Sequence, residues 1–499
     1  MNNIDSAHLP RPILSNHPEW LELYYKAWAL AARHIRVSKA GRSYMDAAWD
    51  PTRNYQWVWD TVFMTLYCRY APDQYPGIQS VDNFYDLQRP DGYISMTYDM
   101  DTGEEPWPDR INPPLFAWAE WEYYQSTGDE SRLARVVPHI ERLMDWVDAH
   151  RRTAPHRRLI RDKLDRPAED VPDDFQLYWF ADAGSSGMDD SPRAPRVHGA
   201  GQHFDWVDLS CQMALSFRML SKIHAVVGNS DRADRWARRW RELGTLINRE
   251  LWCERTRFYH DRMLPTNFVP SKTVAGFWPL IAGLCPADRR DALVAHLMDE
   301  REFNRPTPVP SLSADDPNYC PRGTYWTGGI WAPTNYMIAR GMAQNGRTDV
   351  AHQVAVRYLD ALARTYAAIE PHTLWECYSP EEDLPGLAAY TGKRVKPDFV
   401  GWTGLGPIAM LVENIIGLDL DVPNRRVRWS INLLEEHGVE NLLVGSSGRA
   451  SFICKARTSA GAPAQVQIVS DVDLTVELHC CDRHQRVDVR SDCATRAAV

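Results

Sequence analysis

Apolar stripes at helix spacing, closed again and again by the same kind of punctuation, limit this chain more than any other feature. Trp20, Leu23, Tyr24, Ala27, Leu30 and Ala31 recur every three or four residues behind Pro18, which suits a first helical turn. Leu133, Val136, Val137, Ile140, Leu143, Met144 and Val147 repeat the pattern. Between such stripes stand Gly128-Asp129, Gly228-Asn229, Gly283 to Pro286, and Asn345-Gly346. A glycine or asparagine ends one helix and a small polar residue starts the next, so each pair reads as the turn of an αα-hairpin. The intervals are unequal, which excludes a tight solenoid repeat.

Three long stretches rich in Pro, Gly and charge interrupt the helices: Arg151 to His203, Asn304 to Gly329, and Glu370 to Gly401. Loops of that length in a helical body usually carry function. Paired helices with long loops at one end fit an α/α toroid whose rim holds a site. After Leu418 the pattern changes. Arg426 to Leu433, Ala450 to Lys455 and Val466 to Cys480 are rich in Val, Ile and Thr with partial alternation, separated by turns such as Gly445-Ser446-Ser447-Gly448. The expected organisation is a mainly α body over residues 1–419 and a sandwich-like β module over residues 420–499.

Composition narrows the partners. A formal charge of −10 argues against nucleic acid or an anionic membrane surface. No apolar run is long enough to span a membrane, and residues 1–20 show neither a basic nor an apolar signal region. The ten Cys form no CxxC pair, so reduced thiols in the cytoplasm are expected, with neither a disulfide framework nor a Cys-built metal site. No metal or organic cofactor is called for. Twenty Trp, 21 Tyr and 13 Phe supply more flat aromatic surface than a core requires, and such faces can grip sugar rings.

Four segments combine aromatics, carboxylates and glycine. Trp57-Val58-Trp59-Asp60 could stack on a sugar and hydrogen-bond its hydroxyls; a buried helix start explains it equally well. Gly187-Met188-Asp189-Asp190-Ser191-Pro192-Arg193 is an ordinary turn or cap, or a general acid raised by a neighbouring carboxylate. Tyr325-Trp326-Thr327-Gly328-Gly329-Ile330-Trp331 is the third. The fourth, Trp375-Glu376-Cys377-Tyr378 with Gly401-Trp402-Thr403-Gly404 downstream, offers a carboxylate between aromatics: an Arg partner, or a group that activates water.

Together these residues resemble glycoside hydrolase family 63, whose clan also holds the inverting trehalases. GMDDSPR at 187–193 is similar to that family's GMDNSPR, WVWD at 57–60 to WDWD, YWTGGIWAPTNY at 325–336 to YWRGPxWxxxNY, and WECYSP at 375–380 to ENYDP. NPPLFAWA at 112–119 resembles a QPP-containing helix start, and GWTGLGP at 401–407 the last barrel helix. The resemblance implies an (α/α)6 barrel and exo-acting, anomer-inverting hydrolysis of a terminal α-linked sugar, most simply an α-glucoside, in a small soluble carbohydrate. It implies Asp189 as general acid and Glu376 as general base. Trp57, Trp59, Asp60, Asn112, Arg193, Trp331 and Trp402 would bind the sugar, with Arg193 also able to orient the acid loop. An inverting pair stands roughly 6.5–9.5 Å apart to admit water, so both carboxylates must sit on rim loops.

Departures from the pattern are Val58, Asn112, Ser185, Asp190 and Thr327. Thr327 replaces an Arg, from which a wider and less cationic pocket is expected. Two rival readings share the toroid. A sugar epimerase or lyase would use His or Tyr for proton transfer, with His203, His260 and His372 near candidate loops. A non-catalytic glycan-binding barrel would have no need of the Asp189–Glu376 pair. The sequence leaves room for a homo-oligomer.

Overall fold

A computed structural model describes residues 4–48, 52–152, 177–194, 199–263 and 267–499, with the side chains of Ser6 and His203 left aside. Much of the long loop expected over 151–203 therefore lies outside the described residues. The chain is mainly helical, with a strand-rich C-terminal region.

The helices are α1 (Pro18–Arg33), α2 (Val58–Cys68), α3 (Gly77–Asp86), α4 (Phe116–Thr127), α5 (Glu130–Arg151), α6 (Val207–Val226), α7 (Ser230–Glu250), α8 (Trp278–Ile281), α9 (Ala287–Met298), α10 (Ala332–Gln344) and α11 (Thr348–Ala368). A final helix, Gly406–Ile416, is wound with π-type hydrogen bonds. All four turn signals fall between consecutive helices. Gly128 closes α4 in the left-handed region (φ 74°), and Asp129 caps α5 by accepting the Arg132 N–H at 3.1 Å. Asn229 caps α7 in the same way.

Contacts run in a ring. Helix α2 packs on α4, α4 on α6, α6 on α8, α8 on α10, α10 on Gly406–Ile416, and that helix on α2 again. Outside it, α3, α5, α7 and α11 each pack on the ring helix joined to them by a short turn, while α1 packs on the π-type helix. Inner helices are apolar almost all round, as buried helices must be; α7 is striped, with Ala233, Trp236, Leu243 and Ile247 inward and its many Arg outward.

Charge is also buried at the heart of the ring. Arg69, just past α2, donates to Glu122 of α4 at 2.6 Å and to Glu413 of the π-type helix at 2.7 Å. Arg340 of α10 donates to Glu122 at 3.1 Å, and Tyr70 and Tyr336 donate to Glu413 at 2.8 and 3.0 Å. Four ring helices are thus tied by one network, in which Glu122 has two guanidinium partners and the Trp118 indole N–H, and Glu413 a guanidinium and two hydroxyls.

The longer strands are β1 (Arg11–Leu14), β2 (Leu418–Asp421), β3 (Arg426–Ser430), β4 (His437–Val444), β5 (Gly448–Cys454), β6 (Gln465–Ser470), β7 (Leu474–Cys480), β8 (Arg483–Val489) and β9 (Thr495–Ala498). They form a five-stranded sheet in the order β1-β4-β5-β6-β9 and a four-stranded sheet in the order β2-β3-β7-β8, in which β3 and β7 are parallel. Alternation along β7 puts Leu474, Val476, Leu478 and Cys480 inside. Trp429 of β3 meets Phe452 of β5 edge to face at 5.7 Å and donates its indole N–H to the Ile416 carbonyl, joining the sheets to the last ring helix. The expected cut at 419/420 does not describe this region: its first strand starts at Leu418, and residues 11–14 complete its larger sheet, with Arg11 opposite Glu440. Four residues of short, proline-containing strand gave no readable alternation.

Among the described residues, no helix is long and apolar enough to cross a membrane.

Candidate active site

At the end of the ring where α2 begins, a cavity of about 420 Å³ opens. Trp57, Trp59, Asp60, Asn112, Asp189, Glu376 and Trp402 all line it. Residues from distant parts of the sequence are held together here by three loops and one helix start.

The helix start comes first. Tyr55–Trp57 pairs antiparallel with Thr97–Asp99, which keeps the chain extended up to Trp57 and fixes where α2 begins. Asp60 lies in the first turn of α2, where the helix dipole favours a carboxylate. Burial nevertheless pushes its pKa up to about 8, with the Glu376 charge adding and Lys396 opposing. Trp57 lies against Trp107 with ring centroids 5.1 Å apart, and Tyr55 meets the same indole edge-on at 5.9 Å, giving one wall a broad aromatic face. Val58, where the family has Asp, is buried in the ring's core.

Asn112 joins this start to the acid loop. Its Oδ1 accepts the Trp59 N–H at 3.5 Å, and its Nδ2 donates to the Ser185 carbonyl at 3.1 Å. Gly187 then passes flat over the Trp59 indole. A Cβ there would sit 3.0 Å from two ring carbons, and φ is +79°, so only glycine allows the approach. Asp182 accepts the Ser185 N–H and hydroxyl at 2.8 and 2.9 Å and pairs with Arg110 at 3.0 Å. Asp190 accepts the Trp326 N–H at 2.8 Å, which docks the acid loop onto the 325–331 loop. Asp189 is left facing the cavity. Burial, then Asp190, Glu376 and Asp182, raise its pKa to about 7.

Glu376 sits on the opposite loop, 7% exposed. Its backbone N–H donates to the Lys396 carbonyl, and Trp402 donates to its backbone carbonyl at 2.8 Å. The Tyr325 hydroxyl donates to its Oε1 at 3.0 Å, and the Lys396 N–H to Oε2 at 3.4 Å. Burial raises its pKa above the usual carboxylate range, while Lys396 and the Tyr325 hydrogen bond work against the rise. Tyr325 reaches Glu376 from a left-handed backbone (φ 47°).

Two expected wall residues lie elsewhere. Trp331 is fully buried behind Trp326, stacked on it at 4.1 Å, with its N–H on the Tyr325 carbonyl. Trp326 is the ring that reaches the cavity. Arg193 is sealed beneath the acid loop, paired with Asp261 at 2.8 Å and with Asp208 in the first turn of α6, over the face of Trp206. It can anchor the loop but not touch a ligand in the cavity. Thr327 is also outside the wall: its hydroxyl closes a turn on the Thr324 carbonyl. The wall meanwhile carries Arg53, Arg110 and Lys396, so the expected loss of cationic character does not follow from that position. Trp107, Arg110, Asp182, Tyr325, Trp326 and Lys396 were not singled out as site residues in the sequence. Tyr325 and Trp326 share a motif with Trp331, but spacing alone does not say which aromatic faces inward.

No histidine stands among the described residues of the wall. His260 hydrogen-bonds Thr256 and His372 the Tyr366 carbonyl; the side chain of His203 lies outside what the structure describes.

Comparisons with known proteins place the chain in a family. An uncharacterised protein of Borreliella burgdorferi is 25% identical over 396 residues, covering 77% of this chain and 76% of that protein. A probable mannosyl-oligosaccharide glucosidase of Schizosaccharomyces pombe is 30% identical over 236 residues, covering 44% of this chain but only 28% of the glucosidase. The crystal structure of a GH63 mannosylglycerate hydrolase from Thermus thermophilus in complex with glucose superposes with a TM-score of 0.60 over 78% of this chain and 99% of that one, at 20% identity. Residues 53–394, more than half of the chain and containing both Asp189 and Glu376, match the mannosylglycerate hydrolase MGH1-like glycoside hydrolase domain. The chain belongs to that glycoside hydrolase family, and its domain is a glycosidase domain.

Proposed function

We propose that the chain is an exo-acting, anomer-inverting α-glycosidase in which Asp189 is the general acid and Glu376 the general base, built on an (α/α)6 barrel. The ring of six contacting helices with outer partners supports the barrel reading. One observation carries the chemistry: the two carboxylates share a cavity but have opposite electrostatic surroundings. Asp189 faces Asp190 and Asp182, which hold its proton near neutral pH, whereas Glu376 has Lys396 and the Tyr325 hydroxyl beside it, which favour the anion.

In the resulting scheme, a terminal sugar stacks on the aromatic wall and hydrogen-bonds Asp60. Asp189 gives its proton to the glycosidic oxygen as the C–O bond breaks. Glu376 takes a proton from a water attacking the far face of the ring, so the new C–O bond forms with inverted configuration. Neutral Asp60 can both donate to and accept from a sugar hydroxyl. The reaction needs no group beyond these side chains and water. Cavity size supports a monosaccharide with a small aglycone, and the glucosidase and glucose-bound relatives make a terminal α-glucoside the first candidate. We place the enzyme in the cytoplasm, as its ten unpaired thiols accord with a reducing compartment. Against the epimerase or lyase reading, no histidine stands among the described residues of the wall, and Tyr325 there is committed to Glu376.

The test is an α-glycoside panel followed by proton NMR of early turnover on the best substrate. The β-anomer should appear first, before mutarotation; initial α-anomer would overturn the assignment of the pair.

A further inference from the structure

A second cavity of about 380 Å³ lies at the opposite end of the ring. Its wall comes from the C-terminal turns of α4, α6 and α10, from the end of the Gly406–Ile416 helix, and from β2 and β3. It shares no lining residue with the candidate active site.

The charges in this wall do not cancel. Its four carboxylates are already engaged: Glu122 and Glu413 in the Arg69 network, Asp419 by Arg340 at 2.7 Å, and Asp421 by Arg426 at 2.6 Å. Three further cations remain. Among the described residues Arg218 donates only to the Ile281 carbonyl at 3.3 Å, and it lies over Trp240. Lys222 rests on the Trp121 face at 4.9 Å and makes no ion pair among the described residues. Arg428 of β3 is exposed, 3.7 Å from Glu477. Taking an ammonium out of water without an acceptor is costly, and burial next to Arg218 pushes the Lys222 pKa down to about 8.

Asn414 and Asn432, the latter on the loop after β3, also line the cavity and give it polar walls. Cations without a counter-charge around one space call for a ligand with negative charge.

We propose that this junction cavity binds a small phosphorylated molecule, with Arg218, Lys222 and Arg428 around the phosphoryl group. Two unmatched cations suit a dianion better than a monocarboxylate. Because the wall joins ring helices to β2 and β3, an occupant ties the strand-rich region to the helical body.

The experiment is thermal unfolding of the whole chain with inorganic phosphate, with a hexose 6-phosphate, and with chloride at matched ionic strength. The native protein should gain about 2–3 °C in Tm at a hundredfold excess over Kd. Lys222→Met and Arg428→Ser should each abolish the gain while leaving glycosidase turnover unchanged; Arg428→Ser alters only an exposed side chain and so folds whatever Lys222→Met does. A larger gain with the hexose phosphate assigns an ester as ligand, and an equal gain assigns the phosphoryl group alone. Persistence of the gain in both variants, its reproduction by chloride, or no gain with either phosphate overturns the proposal.

Discussion

Two groups of carboxylates lie in the same helical ring, one at its heart and one at its open end, and they behave in opposite ways. Glu122 and Glu413, deep in the network, have guanidinium and hydroxyl partners, and Glu122 is held at a pKa of about 2, with Arg340 and Arg69 overcoming the burial that would raise it. Asp189 is pushed up to about 7 by burial and further carboxylates, and Asp60 to about 8 by burial that Lys396 opposes without cancelling. Protonation therefore turns on whether the neighbouring cations outweigh burial. The first group holds helices together and the second holds protons.

The sharpest way to break this contrast is to remove the titrating atoms. Asp189→Asn and Glu376→Gln should each lower kcat on an α-glycoside with a poor leaving group by about 10³-fold or more, measured at steady state. If Asp189→Asn keeps substantial turnover, the acid is a different carboxylate, with Asp60 first in line. Removing the cation from the other group should instead hit stability. Arg69→Met leaves Glu122 and Glu413 short of charge and should cost about 3–5 kcal/mol in denaturant unfolding. Glu122 itself contributes stability above its unfolded pKa near 4.5, and that contribution is lost as pH falls toward 2.

A smaller effect has the reverse sign. The native Asp189 pKa is raised from 3.8 to about 7, so the folded state binds the proton more tightly and loses stability as pH climbs through that window. Asp189→Asn cannot ionise. Its stability relative to the native protein, measured by denaturant unfolding, should therefore rise between about pH 4 and pH 7, reaching about 1–2 kcal/mol above pH 7 after solvent screening. Lys396→Met should move the acid limb of the kcat/KM profile to higher pH, since Lys396 favours the Glu376 anion. An unmoved limb would mean that Lys396 does not tune the base. Tyr325→Phe, which removes one hydrogen bond to Glu376, should shift the same limb in the same direction and cost about tenfold or less in kcat.

The helical body was legible in the sequence because amphipathic stripes and Gly/Asn turns are local signals, and all four predicted turns fall between helices. The segments that meet at the cavity were legible because each combines aromatics with glycine or a carboxylate, although that pattern did not announce that Gly187 passes over Trp59. The site was not legible where several rings compete for one surface. Trp326 and Trp331 differ only in which side of a stacked pair faces the cavity, and that depends on Asp190, 136 positions earlier, holding the Trp326 backbone. Arg193 looked like a ligand contact because arginines near acid loops often are, yet its two carboxylate partners, Asp208 and Asp261, come from segments with no motif of their own. Lys396 shapes the base through a backbone pairing between residues 376 and 396, which no side-chain pattern announces.

The strand β1 sets a timetable. Arg11 and its partner Glu440 are 429 positions apart, so a chain made from its N-terminus exposes Arg11–Leu14 long before β4 exists to pair with it. At about 5–20 residues per second the wait is on the order of twenty seconds to a minute and a half. Throughout that time the ring can form from nearest-neighbour helix pairs while its first strand stays unmatched. The larger sheet cannot take in its first strand until β4 has been made, so this edge is a late-forming part of a fold whose ring can already be in place.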